Sequence, residues 1–261
     1  MLSLTLFSTF KPLEDDEYRR ITRNAIGSWV EALRLHPTQI VLYVENRPFI
    51  ESIVNEFNCD TIEIRDITKV NNKGLPTIDH IFHTAQDKSS AKLFCYINGD
   101  IIIPPDFMER IQPLLEVDYQ FLLGATPFEM EFPDELKFEG EWYYDLVTKY
   151  QGHWRDKVAI DLFIFTRHAF RRIPPFAIGR VAYDNYLIGH GKNVTDRLID
   201  GSIHLRTIHQ THDYRPFMNM EHLRGASESV YNRKLAGGYT KASLRQATHI
   251  LTDDSVIPIT N

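Results

Sequence analysis

The sequence predicts an α/β protein, one domain with a mainly parallel central sheet covered by helices on both faces. Two observations carry that expectation. Apolar runs of strand length alternate with segments of helical periodicity through the first half of the chain. Each run is apolar almost throughout, as a strand buried on both sides must be. A length of 261 residues is enough to bury a substantial core.

The elements follow in order. Leu2, Leu4 and Leu6 alternate with polar residues, and Lys11-Pro12 ends that strand. Segment 13–35 then places Tyr18, Ile21, Ala25, Trp29 and Leu33 at helical spacing behind an acidic first turn. A strand is expected over 39–44, a helix over 47–57 and a short strand over 61–64. Gly74-Leu75-Pro76 opens a helix with Ile78, Ile81, Phe82 and Ala85 on one face. "LFCYI" (93–97) is a buried strand, followed by a helix from about Asp106 to Leu115 and a strand at "YQFLLGAT" (119–126). Residues 127–157, rich in aromatics, acids and Pro and poor in periodicity, predict a long surface loop or lid. Beyond it come a strand at "VAIDLFIF" (158–165) and a short helix near "AYDNYLIGHG" (182–191). An alternating strand is expected over 199–208, with Ile199, Ile203 and Leu205 inward, then two C-terminal helices parted by Gly237-Gly238. Neither a repeat nor a linker breaks the chain.

Composition narrows the function classes. A formal charge of −6 offers no concentrated basic face for nucleic acid. Cys59 and Cys95 belong to no C-x-x-C pair, which predicts a reducing, cytoplasmic setting rather than a disulfide framework. The N-terminus lacks a basic leader, and no apolar run approaches the ~18 residues of a membrane span. Work at a membrane surface stays open. There is no G-x-x-x-x-G-K-[ST], G-x-G-x-x-G, G-x-S-x-G or H-E-x-x-H, which argues against P-loop, Rossmann dinucleotide, α/β-hydrolase and zincin chemistry.

In a parallel sheet, ligands sit at the carboxyl ends of the strands. That rule places Lys11, Glu45 and the turn Asn98-Gly99-Asp100 on one rim. Asn, Gly and Asp are ordinary turn residues. A carboxylate at that rim also suits a divalent cation bridging a diphosphate. "HQTHDY" (209–214) offers His209, His212 and Asp213 within six residues. Structural zinc would want about four N or S ligands. One His joining a carboxylate and a diphosphate around Mn²⁺ or Mg²⁺ fits better. In "IPPFAIGRVAYDNYL" (173–187), Arg180, Asp184 and Asn185 project from a loop–helix junction. Asp184 either caps that helix or acts as a general base, with Arg180 then meeting a phosphate or an acceptor acid. Asp161, a charge in an apolar strand, is either an inward sugar-hydroxyl ligand or the partner of Arg167. Lys73 and Lys11 either meet phosphate or base or are solvated.

Taken together, "FSTFKP", "RNAIGSW", "NNKGLPTIDHIFHTA", "YINGDIIIPPDF", "DLFIF", "PPFAIGRVAYDNYLI" and "IHQTHDY" resemble a group of glycosyltransferases in the nucleotide-diphospho-sugar transferase superfamily, with the GT-A fold. The tail "YNRKLAGGYTKASLRQATHIL" also resembles that group, so the likeness runs almost end to end. It implies a GT-A-like domain over 1–261, with a nucleotide-binding half (1–126) and an acceptor-binding half (127–261). It implies transfer of a sugar from a nucleotide-diphosphate donor to a hydroxyl acceptor, glycan, lipid-linked or other, with Mn²⁺ or Mg²⁺. Asp100 stands where the superfamily's DxD motif binds metal and ribose, and His209 or His212 where a C-terminal histidine completes the metal site. Asn98 occupies the first DxD position, a departure that lowers the expected metal affinity. Asp184 matches the base of inverting members, Asp161, Arg180 and Asn185 fall on the acceptor and sugar side, and Phe7, Lys11, Glu45, Lys73 and Asn98 on the nucleotide side. The loop 127–157 would cover the donor.

Two other functions compete. A sugar nucleotidyltransferase would carry a Gly-rich basic loop after the first strand, and "FSTFKPLEDD" has no glycine there. A non-catalytic nucleotide-sugar or glycan-binding protein would keep the fold without the chemistry, and Asn98 in place of an acid is the feature favouring it.

Overall fold

The computed structural model describes residues 2–170, 172–213 and 215–260. Strand β1 (Leu4–Thr9) is buried along its whole length. Helix α1 (Asp16–Leu33) begins where the Asp15 carboxylate accepts the Tyr18 N–H, satisfying one free donor of the first turn. Next come β2 (Thr38–Val44), α2 (Arg47–Val54), β3 (Ile62–Asp66), α3 (Ile78–Asp87) and β4 (Leu93–Ile97). A short strand β5 (Ile101–Ile102) follows the 98–100 turn, then α4 (Phe107–Arg110), α5 (Gln112–Glu116) and β6 (Phe121–Ala125). The middle of the chain holds β7 (Phe128–Met130), α6 (Trp142–Lys149), β8 (Gly152–Trp154) and β9 (Leu162–Thr166). The last third holds α7 (Tyr183–Val194), β10 (Arg197–Asp200), α8 (Ser202–Leu205), β11 (Ile208–Gln210), α9 (Met220–Gly225), α10 (Ser227–Ala236), β12 (His249–Leu251) and β13 (Val256–Pro258).

Among the described residues nine strands form one sheet, in the order β13-β12-β10-β6-β9-β4-β1-β2-β3. Parallel pairing joins β1 to β2 and β4, β2 to β3, and β10 to β6 and β12. Strand β9 runs antiparallel between β4 and β6, so the segments before and after residue 126 share the sheet. Alternation within β1 sends Leu4 and Leu6 to a core with Trp29 and Ile26 of α1, and Phe7 to the opposite core with Phe82 of α3. The expected covering of both faces is what the structure has.

A second sheet, β5-β11-β7-β8, stands beside the first. Its β5 pairs antiparallel with β11, which sets His209 opposite Ile101. Buried polar contacts clamp this sheet to α1. Gln210 Nε2 donates to the carbonyls of Ile21 (2.9 Å) and Asp100 (3.1 Å), and its Oε1 accepts from Asn24 Nδ2 at 3.1 Å. Asn24 also donates to the Asp134 carbonyl and accepts the Leu136 N–H. Trp29 Nε1 donates to the Ile101 carbonyl at 2.9 Å.

Several expectations need correction. Residues 127–157 are not a loose lid. They supply β7, α6 and β8, bury Phe132, Trp142 and Leu146, and are tied to α1 through Arg20 and Arg23 as well as Asn24. Their burial is spread over two short strands and one helix, so no single periodicity marks it. The strand expected over 199–208 stops at Asp200, whose carboxylate accepts the Ser202 N–H and hydroxyl and turns the chain into α8. Ile203 is consequently 74% exposed. The helix expected from Asp106 to Leu115 is broken at Ile111, with Pro113 in the first turn of the second piece. After α10 the chain makes two short 3₁₀ turns and β12–β13 in place of a second long helix.

Replacing Gln210 by Leu strands an amide of Asn24 and two carbonyls in the interior. The expected cost is about 2–3 kcal/mol, a fall in melting temperature of roughly 5–10 °C by calorimetry. An unchanged melting temperature would refute the clamp.

Candidate functional site

The chain leaves β4 through Asn98-Gly99-Asp100, and the turn passes hard against the end of β1. A Cβ on Gly99 would lie 2.7 Å from the Thr9 carbonyl oxygen and 2.7 Å from the Phe10 ring, so only glycine fits. This close passage delivers the Asp100 carboxylate to β11. Asp100 Oδ2 lies 2.9 Å from His212 Nε2 and 3.7 Å from His209 Nε2. Asp100 Oδ1 and His209 Nδ1 are buried without a hydrogen-bond partner among the described residues. The His212 Nδ1–H donates to the Asp213 carbonyl at 2.6 Å, which aims Nε2 at Asp100.

Burial alone would raise the Asp100 pKa, but His209, His212 and Lys11 outweigh it and hold the carboxyl well below the usual range. Burial lowers the His209 pKa. At His212 burial acts in the same direction, yet the Asp100 hydrogen bond and charge win, so its pKa is raised. One carboxylate oxygen and two imidazole nitrogens fall within 4.8 Å of one another, a donor set of the kind that holds a divalent metal ion. The orphaned Asp100 Oδ1 is a further oxygen for such an ion.

Asp100 lies on the wall of a cavity of about 470 Å³, a volume suited to a nucleotide-sized ligand. Lys11, Glu45, Tyr96, Asn98, Arg180 and Tyr183 share that wall, at the carboxyl ends of β1, β2 and β4. Lys11 Nζ donates to Tyr18 Oη at 3.1 Å and lies 3.4 Å from His212 Nδ1, and burial lowers its pKa. Burial raises that of Glu45. Arg180 lies over the Phe217 ring at 4.7 Å with its Nε buried and unpartnered among the described residues.

The structure therefore brings Asp100, His209, His212, Lys11, Glu45, Asn98 and Arg180 to one region. It does not bring Phe7, which is fully buried among Phe82, Tyr96 and Phe165 and faces no ligand. Lys73 lines a separate crevice, where its Nζ meets Ser227 Oγ (3.1 Å) and Glu228 (3.6 Å). Asn185 spends its amide on the carbonyls of Val158 and Ala242. Asp161 stands just before β9 rather than inside a strand, and it pairs with Arg155 at 3.0 Å, not with Arg167. Arg167 instead donates to the carbonyls of Gln86, Ser89 and Ala91. Asp184 sits in the first turn of α7, next to Tyr183, and is not itself on the cavity wall. Burial first, and the nearby charge of Asp161 with it, push its carboxyl up to about 7.

Sequence reasoning missed Arg215, which holds Asp15, Glu17 and Asp213 at 2.6 Å each and pins the segment after β11 to the start of α1. It also missed Tyr96 and Tyr183 on the cavity wall. An Arg–Pro dipeptide beside two histidines was the available signal for Arg215. Tyr214 of the histidine motif lies outside the described residues.

With this geometry in place, known structures give the fold a class. TarS 1–349 of S. aureus in complex with UDP-GlcNAc superposes with a TM-score of 0.54 at 10% identity, over 90% of this chain and 65% of that one. GalNAc-T7 with UDP, GalNAc and Mn²⁺ gives 0.53 at 11% identity, over 88% and 46%. The mannosyltransferase PcManGT of Pyrobaculum calidifontis with GDP-Man and Mn²⁺ gives 0.50 at 10% identity, over 80% and 56%. The fold is that of the GT-A glycosyltransferases, and the chain spans about half to two thirds of the length of these proteins. No family model and no curated protein matches the sequence. Among the described residues no helix is long and apolar enough to cross a membrane.

The raised Asp184 pKa has a consequence for stability. Its carboxyl binds a proton more tightly folded than unfolded, so it favours folding below the ordinary range near about 4, and that contribution is lost as pH rises through about 7. Asp184→Asn is expected to be more stable than the parent at pH 8, by up to roughly 4 kcal/mol and hence with a higher melting temperature, and to match it at pH 4. Equal melting curves at pH 8 would show the carboxyl to be unperturbed.

Proposed function

We propose that this chain transfers a glycosyl group from a nucleotide-diphosphate sugar to a hydroxyl-bearing acceptor, with inversion at the anomeric carbon. The observation that carries this reading is the Asp100–His209–His212 cluster, whose Asp100 lies on the wall of a nucleotide-sized cavity, in a GT-A fold. Asp100, His209 and His212 would hold Mn²⁺ or Mg²⁺. When bound, that ion supplies positive charge to a departing diphosphate.

The chain's own residues do the rest. Lys11, beside Asp100, faces the negative charge of the diphosphate, and the exposed carboxyl of Glu45 accepts from the base. Arg180 meets an anionic oxygen of donor or acceptor. Asp184 takes the proton of the acceptor hydroxyl as that oxygen attacks the anomeric carbon. The bond from that carbon to the diphosphate then breaks, and its electron pair leaves on the phosphate oxygen. A carboxylate whose conjugate acid has a pKa of about 7 is a stronger base than an ordinary one. Residues 1–126 supply most of the donor side, and 127–261 supply both histidines, Arg180 and Asp184 within the same domain. Two free cysteines fit a reducing, cytoplasmic setting, with acceptors that reach it from solution or from a membrane surface.

The test is release of nucleotide from a panel of UDP-, GDP- and CDP-sugars, with and without Mn²⁺. Turnover of at least one donor is expected, abolished by chelator and by Asp100→Asn. Asp184→Asn should cut the rate by roughly 10²–10⁴-fold while nucleotide binding survives, and the parent rate should rise with pH through about 7. Chelator-resistant turnover would sink the metal role, and near-normal turnover by Asp184→Asn would sink the base. Binding without turnover under every condition would leave a nucleotide-sugar-binding module.

A further inference from the structure

Asn98, at the position where the turn lacks an acid, is not idle. Its Nδ2 donates to Asp161 Oδ1 at 2.8 Å, and its Oδ1 accepts from the Tyr183 hydroxyl at 3.1 Å. Its backbone N–H donates to the Asp161 carbonyl at 2.9 Å, so chain and side chain grip the same residue. The second oxygen of Asp161 accepts from Arg155 Nη1 at 3.0 Å. Arg155 also lies 3.4 Å from Glu129, which stands 3.9 Å from His209 Nδ1. Polar contacts thus lead from the turn through Asp161 and Arg155 to Glu129, which stands near His209 without hydrogen-bonding it.

The chemistry of the pair allows little freedom. A carboxylate can only accept, whereas an amide donates on one side and accepts on the other, and Asn98 uses both capacities. Asp at 98 could still accept from Tyr183, but it would set two carboxylate oxygens about 2.8 Å apart. The Asp161 side chain is only 13% exposed, so water does little to screen that repulsion.

We propose that Asn98 and Asp161 are one positioning pair for the cation-holding turn. Asp161, at the entry to β9, carries the negative charge that the turn's first position omits, and asparagine stands at 98 because Asp161 is there. The inference rests on Asp100 as the cation ligand, and it reverses the meaning of the missing acid. Asn98 is then no sign of lost chemistry, since a carboxylate stands beside it at the entry to β9.

Exchange of the two residues in the full-length chain decides the matter. Asn98→Asp places like charges together, Asp161→Asn leaves two amides, and the double variant restores one amide and one carboxylate in reversed order. Two readouts are taken: thermal unfolding without metal, and binding of Mn²⁺ alone followed by its paramagnetic resonance. Each single variant is expected to bind Mn²⁺ about tenfold or more weakly and to melt lower, and the double to recover most of both losses. A folded double variant beside singles that fail to fold is the same recovery in stronger form. Mn²⁺ affinity in Asn98→Asp equal to or above the parent's would overturn the proposal, because the turn would then accept a second acid as a ligand. So would losses in the double variant that simply add. If the parent binds no Mn²⁺, the metal role fails, and unfolding alone decides the pair by recovery or additivity.

Discussion

Everything at the site hangs on the pairing of two very short strands. Only Ile101 and Ile102 of β5 meet β11, yet that contact, within the small sheet, carries His209 to the Asp100 carboxylate. Two residues of ladder are marginal by themselves. The pairing persists because its surroundings leave it no alternative. Trp29 and Gln210 occupy the carbonyls at either end of the turn's exit, and the 127–157 segment closes over the outer face of the small sheet. Buried amides that would be costly to strand serve here as geometric pins.

The electrostatics divide in a similar way. Arg215 gathers three carboxylates from two separate segments, but it is 38% exposed, so its worth in free energy is modest and its value is to fix the cavity mouth. The interior charges behave oppositely. Asp100 is surrounded by groups that favour its ionised form, whereas Asp184 is left among apolar surroundings and a second carboxyl that favour its neutral form. Two aspartates are thereby driven apart in character by their environments, one toward the ionised form and one toward the neutral form.

Much of this was legible from residues alone, for identifiable reasons. Continuous apolar runs gave β2, β4 and β6, because strands covered on both sides need no alternation, and the alternation of Leu2, Leu4 and Leu6 gave β1. The 3.6-residue period of Tyr18, Ile21, Ala25 and Trp29 gave α1. Asp100 and the two histidines stood out as polar groups where chain direction predicts a ligand. What stayed hidden was non-local. Asp161 finds Arg155 rather than Arg167 because Arg167 is captured by three carbonyls in the last turn of α3 and just beyond it. Phe7 looked like a rim residue, but strand alternation points it into the aromatic core. The burial of 127–157 escaped notice because each of its pieces is too short to show a period. Ile203 misled because alternation continued for a few residues after Asp200 had already turned the chain.

The order of the main sheet has a bearing on how the molecule comes into being. Asp100 and His212 are separated by 112 residues of chain, and β9, made between them, must slip in beside β4 before the sheet can close. A chain still emerging from the ribosome carries a lone carboxylate for most of that interval. Among the described residues ten of the thirteen strands precede β11, which brings the first of the two imidazoles. The cluster of Asp100, His209 and His212 is therefore complete only once β11 and the residues after it are in place.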